Sequence, residues 1–336
     1  MKVLVIKTTS MGDVIHTLPA LTDAGKNMSG IRFDWVVEKP FAEIPALHPL
    51  VDQVIPVQIR KWRKHWFKTL RSDEWKTFRK AIKAKHYDYV IDAQGLMKSA
   101  CIARMAQGLR CGLSWKSAWE PLASLFYQRK IVVQPELHAI HRVRALFAGV
   151  FGYSFDEHVV EYGIDRTSLH PADSGYITFL HSTTWATKHW PEAYWCELAK
   201  LLTEKGYRIK LPWGNEGEKA RAERIAGVHH NIQVLPKLDL VGVAKVLAGS
   251  QAVVAVDTGL SHLAAALDVP MISLYGPTDP EQVGTRGASQ IHLKEKMTCD
   301  KACSRQRCAI AVADKPGCFN TLMPERVMAI LSSFLE

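Results

Sequence analysis

Short apolar runs recur along the chain and alternate with segments of helical periodicity. The runs are rich in valine and isoleucine, as in strands that are buried on both faces of a parallel sheet. The predicted strands are KVLVIKT, FDWVVE, DQVIPV and YDYVIDAQ in the first half, and YITFLHST, RIKLPWG, IQVLPK, AVVAVDTG and MISLYG in the second. The predicted helices of the first half are 18–27, 72–85, 96–107 and 138–151. This alternation predicts an α/β fold of two doubly wound domains.

The strand pattern restarts after a polar segment, SLHPADSG, at residues 168–175. We therefore predict two Rossmann-like domains, at residues 1–170 and 171–336. Ligands of such sheets bind at the carboxyl ends of the strands. Two domains that face each other would consequently place a binding site in a central cleft.

Composition and charge limit the kinds of molecule that the protein is expected to bind. Hydrophobic residues make up 47% of the 336 residues and charged residues 23%, as in globular proteins. No signal peptide or run of about 18 apolar residues is found, so we expect a cytoplasmic protein with reduced thiols. The net charge is +10, and residues 1–170 carry 25 Lys and Arg against 16 Asp and Glu. This excess in the first half favours an anionic partner over a merely solvated face.

A basic segment at residues 59–71 interleaves Lys and Arg with Trp62, Trp66 and Phe67. Such a pattern suits nucleic acid, through stacking on bases. It suits an anionic membrane surface equally, and a plain amphipathic helix is the third interpretation.

The sequence lacks several common cofactor motifs. It contains no G-x-G-x-x-G, no P-loop, no H-E-x-x-H and no D-x-D. These absences argue against a dinucleotide fingerprint and against a carboxylate pair that holds a metal–diphosphate.

Three strand-to-helix turns of the second half carry polar side chains suited to a diphosphate and a nucleoside. Amide groups at a helix start, hydroxyls and a compact lysine cation all favour an anion. The alternatives are ordinary capped helices, a surface lysine and a glutamate that suits the helix dipole. The candidates are Thr183, Thr184, Lys188, Glu218, Asp257, Thr258, Gly259 and His262.

Four of the seven cysteines cluster near the end of the chain, with three, four and nine residues between them. Four thiolates at this spacing predict a closed, structural zinc or iron site in a loop at 299–318. The alternative is a surface loop with unliganded thiols. The candidates are Cys299, Cys303, Cys308 and Cys318.

Six further stretches are spread over nearly the whole chain: KTTSMGDVIHTLPAL, DAQGLMKSA, LHSTTWATKHWP, PWG, VLAGSQAVVAVDTGLSHLAAAL and YGPTDP. Together and in this order they resemble the lipopolysaccharide heptosyltransferases of glycosyltransferase family 9. The resemblance implies a GT-B fold and an inverting transfer that requires no cofactor. The donor would be ADP-L-glycero-D-manno-heptose, and the acceptor the inner 3-deoxy-octulosonate sugar (Kdo) of Kdo2-lipid A. The enzyme would work peripherally on the cytoplasmic face of the anionic inner membrane, without nucleic acid.

The resemblance also implies residue roles. Asp13 would be the catalytic base, and Leu238 would join Glu218 beside the ribose and adenine. The other second-half candidates would line the diphosphate and the sugar. The acceptor-binding positions would be Ser10, Arg60, Arg63, Gln94, Lys98 and Arg142.

Some positions depart from the family pattern. Trp119 stands where an acceptor-binding arginine is expected, and Leu238 replaces a more usual methionine. The cysteine cluster keeps open a related family 9 transferase with a different inner-core acceptor. A basic membrane- or RNA-binding scaffold is an alternative of another class. Asp13, Lys188 and Asp257 argue against it, because a scaffold would not require them.

Overall fold

A computed structural model gives the structure of the chain. It describes residues 1–64, 69, 71–295, 308 and 317–335. The chain divides into two compact units, residues 1–164 and 165–336. The division falls before the predicted boundary at 170 because Arg166 belongs to the second unit. Its guanidinium donates to the carbonyl oxygens of Ala248 (2.8 Å) and Ser250 (2.9 Å).

The first unit is built on one parallel six-stranded sheet of order β3-β2-β1-β4-β5-β6. The strands are Lys2–Ile6 (β1), Arg32–Glu38 (β2), Val51–Val57 (β3), His86–Asp92 (β4), Gln107–Leu113 (β5) and Arg129–Ile131 (β6). The described helices are Met11–Ile15 (α1), Leu18–Asn27 (α2), Glu43–Ala46 (α3), Ile59–Lys64 (α4), Asp73–Lys83 (α5), Met97–Ala103 (α6) and Ala139–Phe151 (α7).

The second unit repeats this plan with the strand order β12-β11-β10-β7-β8-β9. The strands are Tyr176–Leu180 (β7), Ile209–Leu211 (β8), Ile232–Val234 (β9), Ser250–Val256 (β10), Met271–Tyr275 (β11) and Gln290–Lys294 (β12). The described helices are Glu192–Glu204 (α8), Glu216–Ala226 (α9), Leu240–Gly249 (α10), Gly259–Ala266 (α11), Pro280–Val283 (α12) and Pro324–Leu335 (α13).

All nine predicted strands are confirmed, and three further strands among the described residues escaped prediction. Two of the three, β5 and β6, complete the first sheet. The predicted helix 96–107 ends at Ala103, and Gln107–Leu113 form β5, which escaped prediction because QGLRCGL lacks the apolar run of a central strand. Gly112 has a packing role there, since a Cβ at this position would collide with the ring of Tyr127.

The core of the second unit fixes one end of the loop that follows β7. The rings of Trp190 and Trp195 meet edge to face with 5.0 Å between centroids, and both residues are fully buried. The indole N–H of Trp190 donates to the carbonyl of Leu322 at 2.9 Å. The end of this loop is therefore anchored in the core. In neither unit does the structure describe a helix long and apolar enough to cross a membrane.

Candidate active site

The loops after two central strands of the first unit meet because β1 and β4 are neighbours, with Ile6 paired to Asp92. The side-chain oxygen of Gln94 accepts from the amides of Thr8 (3.0 Å) and Thr9 (3.2 Å). The ammonium of Lys98 donates to the Thr9 hydroxyl at 3.3 Å. Strand order thus joins two predicted acceptor residues, Gln94 and Lys98, to the loop that leads to Asp13.

Asp13 lies in the first turn of α1, and one of its carboxylate oxygens is fixed by Ser10. The amide and the hydroxyl of Ser10 donate to Asp13 Oδ2 at 2.7 and 2.8 Å. The other oxygen, Oδ1, lies 3.7 Å from the ammonium of buried Lys7, and the Asp13 side chain is 42% exposed. Lys7 in turn donates to the carbonyl of Ala93 at 3.1 Å. The carboxylate is therefore held in direction and still reachable from solvent.

A buried carboxylate, Asp92, supports this arrangement and was not predicted as a site residue. It accepts from the amides of Gln94 (2.9 Å) and Gly95 (3.2 Å), and from the Tyr127 hydroxyl (2.6 Å). Burial raises the pKa of Asp92, while the hydrogen bond from Tyr127 opposes that shift. The bonds fix the Gln94 loop, and the only sequence signal was a polar residue at a strand end.

A pocket in the first unit brings Asp13 together with Gln94 and Arg142, and its wall also includes Lys7, His16 and Trp119. The buried guanidinium of Arg142 donates to the carbonyls of Ser117 (2.8 Å) and Pro135 (3.3 Å). Burial lowers the pKa of Arg142. Its carbon Cζ lies 4.6 Å from the centre of the Trp119 ring. The tryptophan that replaces the expected arginine therefore stacks on another arginine of the pocket.

The two remaining predicted acceptor residues, Arg60 and Arg63, lie on α4 and are exposed. They do not line the pocket that contains Asp13. The amide of Arg60 donates to the carboxylate of Glu38 at 3.4 Å, and burial raises the pKa of Glu38. The predicted aromatic residues Trp66 and Phe67 lie outside the described residues, whereas Trp62 is buried.

In the second unit, loops after three adjacent strands meet at a buried ion pair. Lys188 follows β7, Asp257 follows β10 and Thr278 follows β11. The ammonium of Lys188 and the hydroxyl of Thr278 both donate to Asp257 Oδ2 at 2.6 Å. The side chains of Lys188 and Asp257 are 13% and 8% exposed. The ammonium also lies 4.5 Å from the centre of the Trp185 ring.

A chain of hydrogen bonds holds the loop after β7, and its members His189 and Arg221 were missed by the sequence analysis. A guanidinium nitrogen of Arg221 contacts Nδ1 of His189, while His189 Nε2 lies 2.7 Å from the carbonyl oxygen of Thr183. A guanidinium only donates, so Nδ1 must accept and Nε2 must carry the proton. Burial lowers the pKa of His189, and the charge of Arg221 acts in the same direction. The neutral ring therefore links Arg221 to Thr183.

Two predicted ligand groups of the second unit are engaged in helix caps. The carboxylate of Glu218 accepts from the Gly214 amide (2.7 Å) and the Asn215 side chain (2.8 Å). The amide groups at the start of α11, from Thr258 to Ser261, are predicted to face an anion, and two of these amides have partners within the helix start. The Ser261 amide donates to the Thr258 carbonyl at 3.2 Å, and the Thr258 amide faces the Ser261 hydroxyl at 3.4 Å. The capping geometry of α11 directs both amides inward.

The other predicted donor residues lie around these caps. Thr184 is exposed, Leu238 is half-buried, and His262 is buried in the first turn of α11, which begins at Gly259. The cysteine prediction falls partly outside the described residues, which exclude Cys299 and Cys303 and include Cys308 and Cys318. Within the described ranges no group of three or more His, Cys, Asp or Glu side chains could hold a metal ion. Among the described residues, which include only two of the four cysteines, the predicted structural metal finds no support.

Two parallel six-stranded α/β units, each with a polar cluster at the carboxyl ends of its central strands, have the architecture of the GT-B fold. Residues 75–311 match the family model described as glycosyltransferase family 9 (heptosyltransferase). Lipopolysaccharide heptosyltransferase 1 of Pseudomonas aeruginosa is 52% identical over 100% of this chain and 98% of its own length.

Solved structures agree with this match. The E. coli heptosyltransferase WaaC with ADP is 47% identical, covers 99% of this chain and 100% of its own, and has a TM-score of 0.87. The same enzyme with ADP-2-deoxy-2-fluoro heptose covers 99% of both chains, at 47% identity and a TM-score of 0.86. The chain belongs to glycosyltransferase family 9 and is a heptosyltransferase with a GT-B fold.

Proposed function

We propose that this chain transfers L-glycero-D-manno-heptose from ADP-heptose to the inner Kdo of Kdo2-lipid A, with inversion at the transferred carbon. The match to a heptosyltransferase 1 over the full chain supports the reaction. The observation that carries the mechanism is the half-exposed Asp13 carboxylate, fixed by Ser10 at the end of β1. The reaction places this chain in lipopolysaccharide inner-core synthesis.

On the acceptor side, Asp13 acts as the general base. Its Oδ2 is occupied by two donors from Ser10, so Oδ1 takes the proton of the attacking Kdo hydroxyl. Inversion requires one such displacement and no covalent sugar intermediate. Lys98 and Arg142 bind the acceptor's carboxylates, and the exposed Arg60 and Arg63 bind its more distant anionic groups.

On the donor side, Lys188 and the hydroxyls of Thr183 and Thr184 bind the diphosphate. As the bond to heptose breaks, charge grows on the departing ADP, and these groups stabilise it. Lys188 must then share its charge between Asp257 and the phosphate, since its ammonium lies 2.6 Å from Asp257 Oδ2. Thr258, Gly259 and His262 line the diphosphate and sugar, while Glu218 and Leu238 flank the ribose and adenine. Stabilisation by these side chains requires no catalytic metal, which turnover in a chelator would test.

The test is an incubation with ADP-heptose and Kdo2-lipid A, read by mass spectrometry of the lipid. A mass gain of one heptose is expected, and Asp13→Asn should abolish most of it. A parallel reaction offers an acceptor that already carries the first heptose. Transfer to that acceptor alone would instead assign a heptosyltransferase II activity, and no transfer to either would overturn the proposal.

We also propose that the enzyme works at the cytoplasmic face of the anionic inner membrane, where its lipid acceptor resides. The basic excess of the first half supports this location, because anionic lipids attract each surface lysine or arginine by about 1 kcal/mol. Salt-sensitive binding to anionic vesicles, with little binding to RNA, would separate this location from the scaffold alternative.

A further inference from the structure

The most exposed hydrophobic side chains of the structure fall within one short segment of the first unit. Among the described residues, five large hydrophobic side chains are more than half exposed, and all five lie in residues 115–132. Exposed apolar side chains mark an interaction surface, rather than ordinary solvent contact, when they are neighbours on the surface. They are Trp115 (52%), Trp119 (71%), Leu122 (53%), Leu125 (65%) and Val132 (77%).

The local fold presents two of these side chains on one face. Leu122 and Leu125 lie in the 3-10 helix Pro121–Phe126, which has about three residues per turn, so side chains three apart are aligned. The intervening Ala123 and Ser124 are buried. The helix is thus packed on one side and apolar on the side that faces water.

Hydrogen bonds hold the segment in this position. The Tyr127 hydroxyl donates to buried Asp92 at 2.6 Å, and the guanidinium of Arg110 donates to the Phe126 carbonyl at 2.9 Å. The Val133 amide donates to the Ser117 hydroxyl at 2.9 Å. The exposure of the apolar side chains is therefore a feature of a fixed surface.

The charges of the same segment are positive. Lys116, Arg129 and Lys130 are exposed, and the one acid of residues 115–132 is Glu120. The Glu120 carboxylate accepts from the Met97 amide at 2.6 Å and is thereby engaged. The headgroup region of an anionic bilayer binds surfaces of this kind. Exposed tryptophan and leucine side chains enter the interface, and neighbouring lysine and arginine side chains contact the anionic headgroups.

The segment is also continuous with the pocket that contains Asp13. Trp119 belongs to both, because its ring lies 4.6 Å from Arg142 Cζ and lines that pocket. A lipid whose sugar enters the pocket would leave its acyl chains beside this surface.

We propose that residues 115–132 are the bilayer-docking surface of the enzyme. In this arrangement Leu122 and Leu125 enter the headgroup–acyl boundary, and Lys116, Arg129 and Lys130 contact anionic headgroups. Trp119 marks the passage from the bilayer to the acceptor pocket. The inference rests on the proposed function for the identity of the lipid acceptor, whereas binding to a bilayer is measured without it.

The experiment uses vesicles of phosphatidylethanolamine and phosphatidylglycerol that contain no acceptor, with phosphatidylcholine vesicles for comparison. The full chain carrying Leu122→Ser with Leu125→Ser should bind the anionic vesicles about tenfold more weakly in co-sedimentation, because two apolar side chains no longer insert into the bilayer. Lys116→Glu with Lys130→Glu should weaken binding by a similar factor and reduce its salt dependence. Val159→Ser with Val228→Ser is the matched control, since both valines are exposed outside the segment, and it should bind as the parent does.

Two further readouts separate the possible failures. All variants should keep the parent's melting temperature and its turnover of a water-soluble, deacylated acceptor. Unchanged vesicle binding of both segment variants would overturn the docking surface. A leucine variant that loses a dimer in light scattering, yet binds vesicles normally, would assign the surface to a second copy of the chain instead. If the parent transfers heptose to neither acceptor, the proposed function fails while the vesicle result still stands.

Discussion

Lys188→Met removes one charge from the buried pair of the second unit while keeping an unbranched side chain of similar length. In the structure the Lys188 ammonium lies 2.6 Å from Asp257 Oδ2, and both side chains are at most 13% exposed. The variant leaves the hydroxyl of Thr278 as a donor to the same oxygen. A buried carboxylate thereby loses its counter-charge but keeps one neutral hydrogen bond.

The size of the effect follows from that burial. Breaking a buried pair by removing one partner costs about 3–5 kcal/mol, and the remaining bond from Thr278 places the expected loss near the lower limit. For a unit of this length, about 3 kcal/mol corresponds to a fall of roughly 6–12 °C in melting temperature. Adding Asp257→Asn removes the unpaired charge and should restore most of that loss, because the asparagine oxygen still accepts from Thr278.

Calorimetry of the full chain measures these shifts, and Lys205→Met serves as the matched control because Lys205 is exposed on the surface of the same unit. Titration with ADP and AMP then tests the second role of Lys188. Lys188→Met should weaken ADP binding more than AMP binding, since the proposed contact is to the diphosphate. A single variant as stable as the parent would refute the argument from burial, and equal losses for ADP and AMP would refute the diphosphate contact.

Three further outcomes are expected. Asp13→Asn should lower turnover by about two to four orders of magnitude with ADP affinity unchanged, as mass-spectrometric rates and calorimetric titration would show; near-normal turnover would exclude Asp13 as the base. Arg221→Met frees the ring of His189, so the KM for ADP-heptose should rise about tenfold in steady-state kinetics, and an unchanged KM would contradict the positioning role. His181 is buried with a pKa lowered to about 3, so the unfolded chain binds one more proton between about pH 3 and 6.5. Stability should therefore rise with pH across that window, and His181→Gln should reduce the slope measured by urea unfolding by about 1.4 kcal/mol per pH unit, whereas an identical slope would contradict the buried neutral imidazole.

The sequence sufficed for most of the architecture because buried parallel strands carry a local signal. Runs such as KVLVIKT and AVVAVDTG are apolar, short and followed by polar turns, and each became a strand. Strand β5 lacks that signal, since its sequence QGLRCGL is not an apolar run. It contains Gly112, which makes room for the ring of Tyr127, and no local sequence pattern shows where that ring lies.

The sequence predicted which residues at strand ends belong to a candidate site, but not which of these residues contact each other. Lys188 and Asp257 are 69 residues apart and meet only because β7 and β10 are neighbours in the sheet. Local patterns do not determine sheet order, so both residues were recognisable as ligand candidates while their ion pair was not. The same limit hid the chain from Arg221 through His189 to Thr183, in which the joined residues come from a helix and a distant loop.

Comparison with a family pattern also misses contacts between residues that are distant in the sequence, and Trp119 is an example. Judged position by position, a tryptophan in place of an arginine removes a cation from the acceptor pocket. In the structure its indole stacks on the guanidinium of Arg142, which two backbone carbonyls also hold. An arginine at position 119 would bring a second positive charge to that place, where burial already lowers the pKa of Arg142. The substitution is therefore compatible with a cationic pocket, because the aromatic face stabilises the cation that remains.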